Sequence, residues 1–103
     1  MEFNGTEGEF ISLSEAADMT TAWRNGNNGT TKAVFYGKDK LNDILAQEGC
    51  VGIRMYFAEN SDGEKTLVLV GVESNQNDMD EGKILDRGPL CPSICSANNA
   101  LNS

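Results

Sequence analysis

Residues 50–73 read CVGIRMYFAENSDGEKTLVLVGVE, and this stretch decides the fold. Apolar residues recur at every second position from Val51 to Phe57, and a second apolar run extends from Leu67 to Val72. The polar stretch between them contains Asp62-Gly63, a pair that tolerates the positive φ of a tight turn. Apolar strands on both sides of a turn pair predict a β-hairpin.

The turn also predicts how the two strands, residues 51–58 and 66–73, pair with each other. A loop of two or four residues centred on Asp62-Gly63 sets these residues opposite each other: Phe57 and Val68, Met55 and Val70, Ile53 and Val72. Directly opposed side chains share a face of the sheet, so this register gives one wholly apolar face. We expect that face to form the core, and the reverse face to carry Arg54, Tyr56, Ala58, Leu67 and Leu69.

Two helices are predicted before the hairpin. The first begins at the capping-box pattern Ser12-Leu-Ser-Glu15 and runs to about Asn25, with Gly26 as a left-handed stop. Its inward stripe comprises Ala16, Met19, Thr20 and Trp23. The second helix spans residues 38–48 and ends at Gly49. Its inward residues are Leu41, Ile44 and Leu45.

Shorter segments complete the predicted fold. Residues 33–36 form either a short strand or a lead-in to the second helix, and residues 84–86 suggest a short third strand. The simplest arrangement is one α+β domain over residues 12–95, with two N-terminal helices packed on a small antiparallel sheet. Residues 1–11 and 96–103 are expected to be flexible ends.

Charge and composition narrow the classes of partner. The 103 residues carry 8 Lys and Arg against 16 Asp and Glu, which gives a net charge of −8. Such a chain repels phosphate backbones and anionic lipids, so we expect neither nucleic-acid nor membrane binding. The first ten residues carry three glutamates and no apolar run of the kind found in secretory signals. This favours a cytoplasmic location if the N-terminus is native.

The inventory of reactive side chains limits the chemistry. The chain has no histidine, which excludes catalytic triads and metal sites that need an imidazole ligand. Its three cysteines, Cys50, Cys91 and Cys95, leave alternatives open. Zinc bound by all three with a carboxylate is one, since thiolates at a turn can converge on one ion. Otherwise Cys50 is a small buried apolar residue, while Cys91 and Cys95 either form a bridge or stay reduced.

Five stretches carry a resemblance to a known family: residues 13–17, 23–24, 44–57, 67–72 and 88–95, the last reading GPLCPSIC. Together they look like a family of short uncharacterised Bacteroidetes proteins with a C-terminal cysteine-proline motif. The resemblance implies a similar order of a helix pair, a hairpin and a cysteine-proline ending. It implies no activity and no catalytic residue.

These observations favour binding over catalysis. We expect a non-catalytic module that meets another protein, or a second copy of itself, through the reverse face of the hairpin. The residues in contact would be Arg54, Tyr56, Leu67 and Leu69, with no cofactor involved. The alternative is a metal or redox site at the three cysteines, which requires their sulfur atoms to converge after folding.

Overall fold

The computed structural model describes all 103 residues and shows two helices and five strands. In chain order the elements are α1 (Leu13–Gly26), β1 (Ala33–Val34), α2 (Lys38–Leu45), β2 (Cys50–Glu59), β3 (Lys65–Glu73), β4 (Ile84–Leu85) and β5 (Leu90–Cys91). The strands form two antiparallel sheets, one of three strands in the order β2-β3-β4 and one that pairs β1 with β5. The predicted α+β class, the hairpin and the third strand are therefore confirmed.

The loop that joins β2 to β3 has an odd number of residues rather than the even number expected. The Asn60 N–H donates to the Glu64 carbonyl over 2.9 Å, and the Gly63 N–H donates to the Asn60 carbonyl over 3.0 Å. Gly63 has a φ of 80°, whereas the φ of Asp62 is not positive. This is a type I turn followed by a left-handed glycine, the usual form of a hairpin loop with three residues, here 61–63, inside the closing pair Asn60 and Glu64. The Asn60 side chain favours this turn because its Oδ1 accepts the N–H groups of Asp62 and Glu64.

The odd loop shifts the strand pairing by one residue from the expected register. Met55 pairs with Leu69, Phe57 with Leu67, and Arg54 with Val70. The expected pairs, in which Phe57, Met55 and Ile53 oppose Val68, Val70 and Val72, are therefore wrong. Side chains alternate between the faces of a sheet, so a shift of one residue exchanges the two faces of β3.

The exchange gives each face of the hairpin a different composition. The valine face carries Arg54, Tyr56, Val68, Val70 and Val72, and the leucine face carries Ile53, Met55, Phe57, Leu67 and Leu69. The expected apolar face, which combines Ile53, Met55 and Phe57 of β2 with Val68, Val70 and Val72 of β3, does not form.

The core centres on β3, the middle strand of the larger sheet. Leu69, Val70 and Val72 are buried, and Ile44 of α2 is buried against the sheet. Gly71 lets the turn after α2 approach closely, because a Cβ at this position would lie 3.0 Å from the side-chain nitrogen of Gln47. Helix α2 is shorter than expected, but Gly49 adopts the predicted left-handed conformation, with a φ of 86°.

Helix α1 begins as predicted and ends differently. The Ser12 hydroxyl accepts the Glu15 N–H over 3.0 Å, which is one half of the capping box. Gly26 is helical and not a left-handed stop; Asn27 caps the helix instead, and its side-chain amide donates to the Trp23 carbonyl. The helix has no buried residue, and Trp23 on its expected inward stripe is 41% exposed. Its side chains meet the hairpin only across an open groove.

The segment left undecided between strand and helix is a strand. Ala33 pairs with Cys91 and Val34 with Leu90, and the Phe35 N–H donates to the Pro89 carbonyl over 3.0 Å. The Tyr36 hydroxyl donates to the Leu67 carbonyl, which ties this small sheet to the hairpin.

Both chain ends hydrogen-bond to the folded part. The Phe3 N–H donates to the Ser74 carbonyl over 2.8 Å. Near the other end, the Arg24 guanidinium donates to the Leu101 carbonyl and the Lys32 ammonium to the Asn102 carbonyl. The expected flexibility of these ends stays a prediction.

The molecule is unusually open for its size. Its accessible surface is 7493 Å², whereas a compact chain of this mass is expected to expose about 5,700 Å². Its radius of gyration is 15.1 Å, against about 13 Å for a compact domain of this length. Large apolar side chains are exposed at the chain ends, on α1 and on the outer half of the hairpin, where Phe57 is 90% exposed. No helix has the length and apolar character needed to cross a membrane.

We predict that Gly88→Ala lowers the free energy of unfolding by about 1–3 kcal/mol, the usual cost of inserting a group into occupied space. A Cβ at Gly88 would collide with the Phe35 carbonyl and lie 2.9 Å from the Tyr36 ring, where the β1–β5 sheet meets the hairpin. Urea denaturation measures the change. Gly26→Ala is the matched control, because a Cβ there meets nothing. Equal stability of the two variants would contradict this packing.

Candidate interaction surface

Strand β2 forms one border of the three-stranded sheet, and half of its backbone groups point outward. In an antiparallel pair, every second residue of a strand directs its N–H and C=O groups toward the neighbouring strand. The Asn60 N–H donates to the Glu64 carbonyl, so Tyr56 and Arg54, four and six residues earlier, also direct these groups toward β3. The residues between them, Ile53, Met55 and Phe57, direct theirs away from β3.

Hydrogen bonding on the other side of the hairpin agrees with this alternation. Gly71, the residue opposite Ile53, uses its carbonyl to accept the Met79 N–H over 2.8 Å, on the side of β3 away from β2. Gly71 and Ile53 therefore form a pair whose backbone groups face outward on both strands.

The outward groups of β2 have no partner over most of its length. No hydrogen bond from another segment reaches the backbone from Ile53 to Glu59. The N-terminal segment covers the start of the strand, since a Cβ at Gly5 would lie 3.3 Å from the Val51 carbonyl oxygen. Beyond Val51 this segment borders the strand across a cleft that extends to Arg54. The free edge of β2 is therefore Ile53–Glu59, and it can accept another strand.

Exposed apolar side chains flank this free edge. Met55 is 57% exposed and Phe57 is 90% exposed, both on the leucine face. Beside Phe57 lies an apolar groove of about 350 Å³ between α1, β1 and the end of the hairpin. Its apolar lining includes Met19, Trp23, Val34, Phe57 and Leu67.

The valine face instead carries a polar network. The Arg54 guanidinium pairs with one carboxylate oxygen of Asp78, and the Tyr56 hydroxyl donates to the other. Arg54 also donates to the Gln76 carbonyl over 3.2 Å, and its guanidinium carbon lies 5.9 Å from the centre of the Phe3 ring. Asp78 pairs with β3 on the side opposite β2. The network therefore extends from β2 across the buried valines of β3 to the segment on its other side.

This network shifts the ionisation of its members. The hydrogen bond from Tyr56, followed by the contact with Arg54, holds the pKa of Asp78 below its usual value. The same hydrogen bond raises the pKa of Tyr56, since the neutral hydroxyl donates to Asp78 and the phenolate would be repelled by it. Arg54, Tyr56 and Asp78 therefore form a structural clamp on the sheet.

The structure separates the four residues predicted as one interaction face. Arg54 and Tyr56 lie on the valine face, whereas Leu67 and Leu69 lie on the leucine face. Leu69 is only 1% exposed and belongs to the core. A single face made of all four is therefore wrong, and the reason is the odd loop.

The residues that sequence reasoning missed are Met55 and Phe57, which the expected register places in the core, and Asp78, for which the sequence indicates no role. A signal for the first two was present. Asn at the first position and Gly at the fourth position of a turn, here Asn60 and Gly63, are typical of a type I turn. The position of Asp78 depends on a loop closure that no local pattern indicates.

The three cysteines do not form a cluster. Cys91 and Cys95 form a disulfide with 4.9 Å between their Cα atoms, while Cys50 is free and its thiol contacts the Gly52 carbonyl. No group of three or more Cys, Asp or Glu side chains has a geometry that could hold a metal ion. The alternative of a metal or redox site formed by Cys50, Cys91 and Cys95 together is therefore wrong, because their sulfur atoms do not converge.

No protein-family model, no curated protein and no solved structure matches this chain. The resemblance to the Bacteroidetes family therefore stays a prediction.

We predict that Asp78→Asn removes an acid-dependent part of the stability. Because the pKa of Asp78 is lowered in the folded protein, its contribution is complete above the unfolded value of about 3.9 and is lost as the pH falls through the folded value. The variant should be less stable than the parent at neutral pH, and the difference should shrink in acid. Urea denaturation from neutral to acidic pH measures it. Asp80→Asn, at an exposed position without side-chain hydrogen bonds, is the control; identical pH profiles for all three proteins would refute the clamp.

We predict that the double variant Cys91→Ala, Cys95→Ala loses about 2 kcal/mol of unfolding free energy, the chain-entropy effect of so short a loop. A reducing agent should destabilise the parent and the Cys50→Ala control by the same amount and leave the double variant unchanged. The bridge is not structural if reduction has no effect on the parent.

Proposed function

We propose that this protein is a non-catalytic binding module that associates with another protein, or with a second copy of itself, through the free edge of β2. The observation that carries the proposal is the coincidence of unpaired backbone groups with exposed Met55 and Phe57 over one continuous stretch. Strand addition uses both features: the backbone groups supply affinity, and the alternate side chains supply specificity.

The openness of the molecule supports the proposal. The surface in excess of a compact monomer is about 1,800 Å², and a standard interface buries about 800 Å² on each partner. A partner on the outer half of the hairpin would bury side chains that are exposed in the single chain, including Met55 and Phe57.

Charge argues for a protein rather than a nucleic acid as the partner. The chain has a net charge of −8, which opposes binding to phosphate backbones. The free edge itself has no acidic residue until Glu59, and its one cation, Arg54, is already paired with Asp78. The centre of the free edge is thus apolar and carries no unpaired charge.

Photocrosslinking in the native host tests the proposal. We predict that p-benzoylphenylalanine in place of Phe57 forms a covalent adduct on irradiation, because this side chain would lie in the interface. The same substitution at Phe10, which is also fully exposed but lies outside the free edge, is the matched control. An adduct at 57 and none at 10 supports binding at this edge, and the adduct mass separates a second copy from another protein. If position 57 yields no adduct, the proposed function is wrong.

A further inference from the structure

We infer that the partner at the free edge is a second copy of this chain, joined by antiparallel pairing of the two β2 strands about a two-fold axis at Met55. This inference rests on the proposed function and specifies its partner. It would join the two three-stranded sheets into one continuous sheet across the contact.

The direction of the backbone groups limits how two copies can pair. Only Ile53, Met55, Phe57 and Glu59 offer outward N–H and C=O groups, so each must oppose an outward residue of the other copy. A two-fold axis that falls between residues would oppose outward to inward residues and is excluded. The axis must therefore pass through a residue of β2.

Side-chain chemistry selects among the remaining axes. An axis at Arg54 would set two guanidinium groups directly opposite each other, which is unfavourable. An axis at Tyr56 would set the Glu59 carboxylate opposite the apolar Ile53. An axis at Phe57 would set the same carboxylate opposite the apolar Met55. An axis at Ile53 or at Ala58 shortens the ladder, because the N-terminal segment covers Val51 and the hairpin loop begins at Asn60.

An axis at Met55 avoids the opposed guanidinium groups and keeps Glu59 out of the ladder, because Glu59 then falls opposite Val51, where the N-terminal segment already covers the edge. Met55 then opposes its own copy, and Ile53 opposes Phe57 of the second copy, so that one face of the contact is continuously apolar. On the other face Arg54 opposes Tyr56 of the second copy, a cation beside an aromatic ring. The ladder has three hydrogen-bonded pairs and thus about six hydrogen bonds between the copies.

Disulfide trapping tests this register in a Cys50→Ala background. We predict that Met55→Cys cross-links to itself under mild oxidation, because opposed residues in a hydrogen-bonded pair have Cα atoms about 5.5 Å apart. Phe57→Cys is the matched control, since the two Cys side chains would lie about 14 Å apart, four residues along the strand. A mixture of Ile53→Cys and Phe57→Cys should form a mixed dimer, while neither alone should.

Light scattering of the unmodified protein provides the second readout. We expect a dimer, and Met55→Lys should raise its dissociation constant roughly tenfold or more, since two cations would meet on the axis. Circular dichroism checks that this variant, changed at an exposed position, keeps its fold.

The outcomes separate this inference from the proposed function. Cross-linking of Phe57→Cys without Met55→Cys, or a monomer at the highest soluble concentration, overturns the two-fold pairing. If position 57 then gives photoadducts only with a different protein, the binding function stands and its partner is not a second copy. If no photoadduct forms at all, the binding function fails too.

Discussion

The side chain of Asn60 controls how this protein presents its surface. By accepting the N–H groups of Asp62 and Glu64, it favours a type I turn in which only Gly63 is left-handed. The resulting loop has an odd length, and the side-chain period of a strand is two, so the loop determines which face of β3 meets which face of β2. The polar clamp on the valine face and the exposure of Met55 and Phe57 both follow from that register.

Burial and hydrogen bonding within the sheet are concentrated on β3. This strand has a neighbour on both sides, and Leu69, Val70 and Val72 are buried on its two faces. Strand β2 has a neighbour on one side only, and its side chains become more exposed toward the loop. Local opening costs least where few apolar contacts are buried. The outer half of β2 is therefore the part of the hairpin that gains most from an additional strand.

Local signals were readable from the sequence, and long-range ones were not. The Ser12 cap, the left-handed Gly49 and the two long strands depend on neighbouring residues, and each was predicted. A loop centred on Asp62-Gly63 has an even number of residues, and this expectation is wrong because it leaves out the Asn60 side chain, which favours an odd loop. The pairing of β1 with β5 and the reach of Asp78 to Arg54 join residues far apart in the chain, and two-residue strands carry too little pattern to indicate their partners.

The free edge is notable because proteins usually protect such edges with charges, prolines, bulges or covering segments. Protection here is confined to the two ends of β2: a bulge between Cys50 and Gly52 and the N-terminal segment at one end, and the Glu59–Lys65 ion pair at the other. The middle has no proline, and its one charge is held by Asp78 on the valine face. Such an arrangement prevents pairing from extending along the whole strand while leaving room for a short, defined ladder. An edge that is restricted at both ends and open at its centre limits the registers in which another strand can pair, and the charges of Arg54 and Glu59 limit them further.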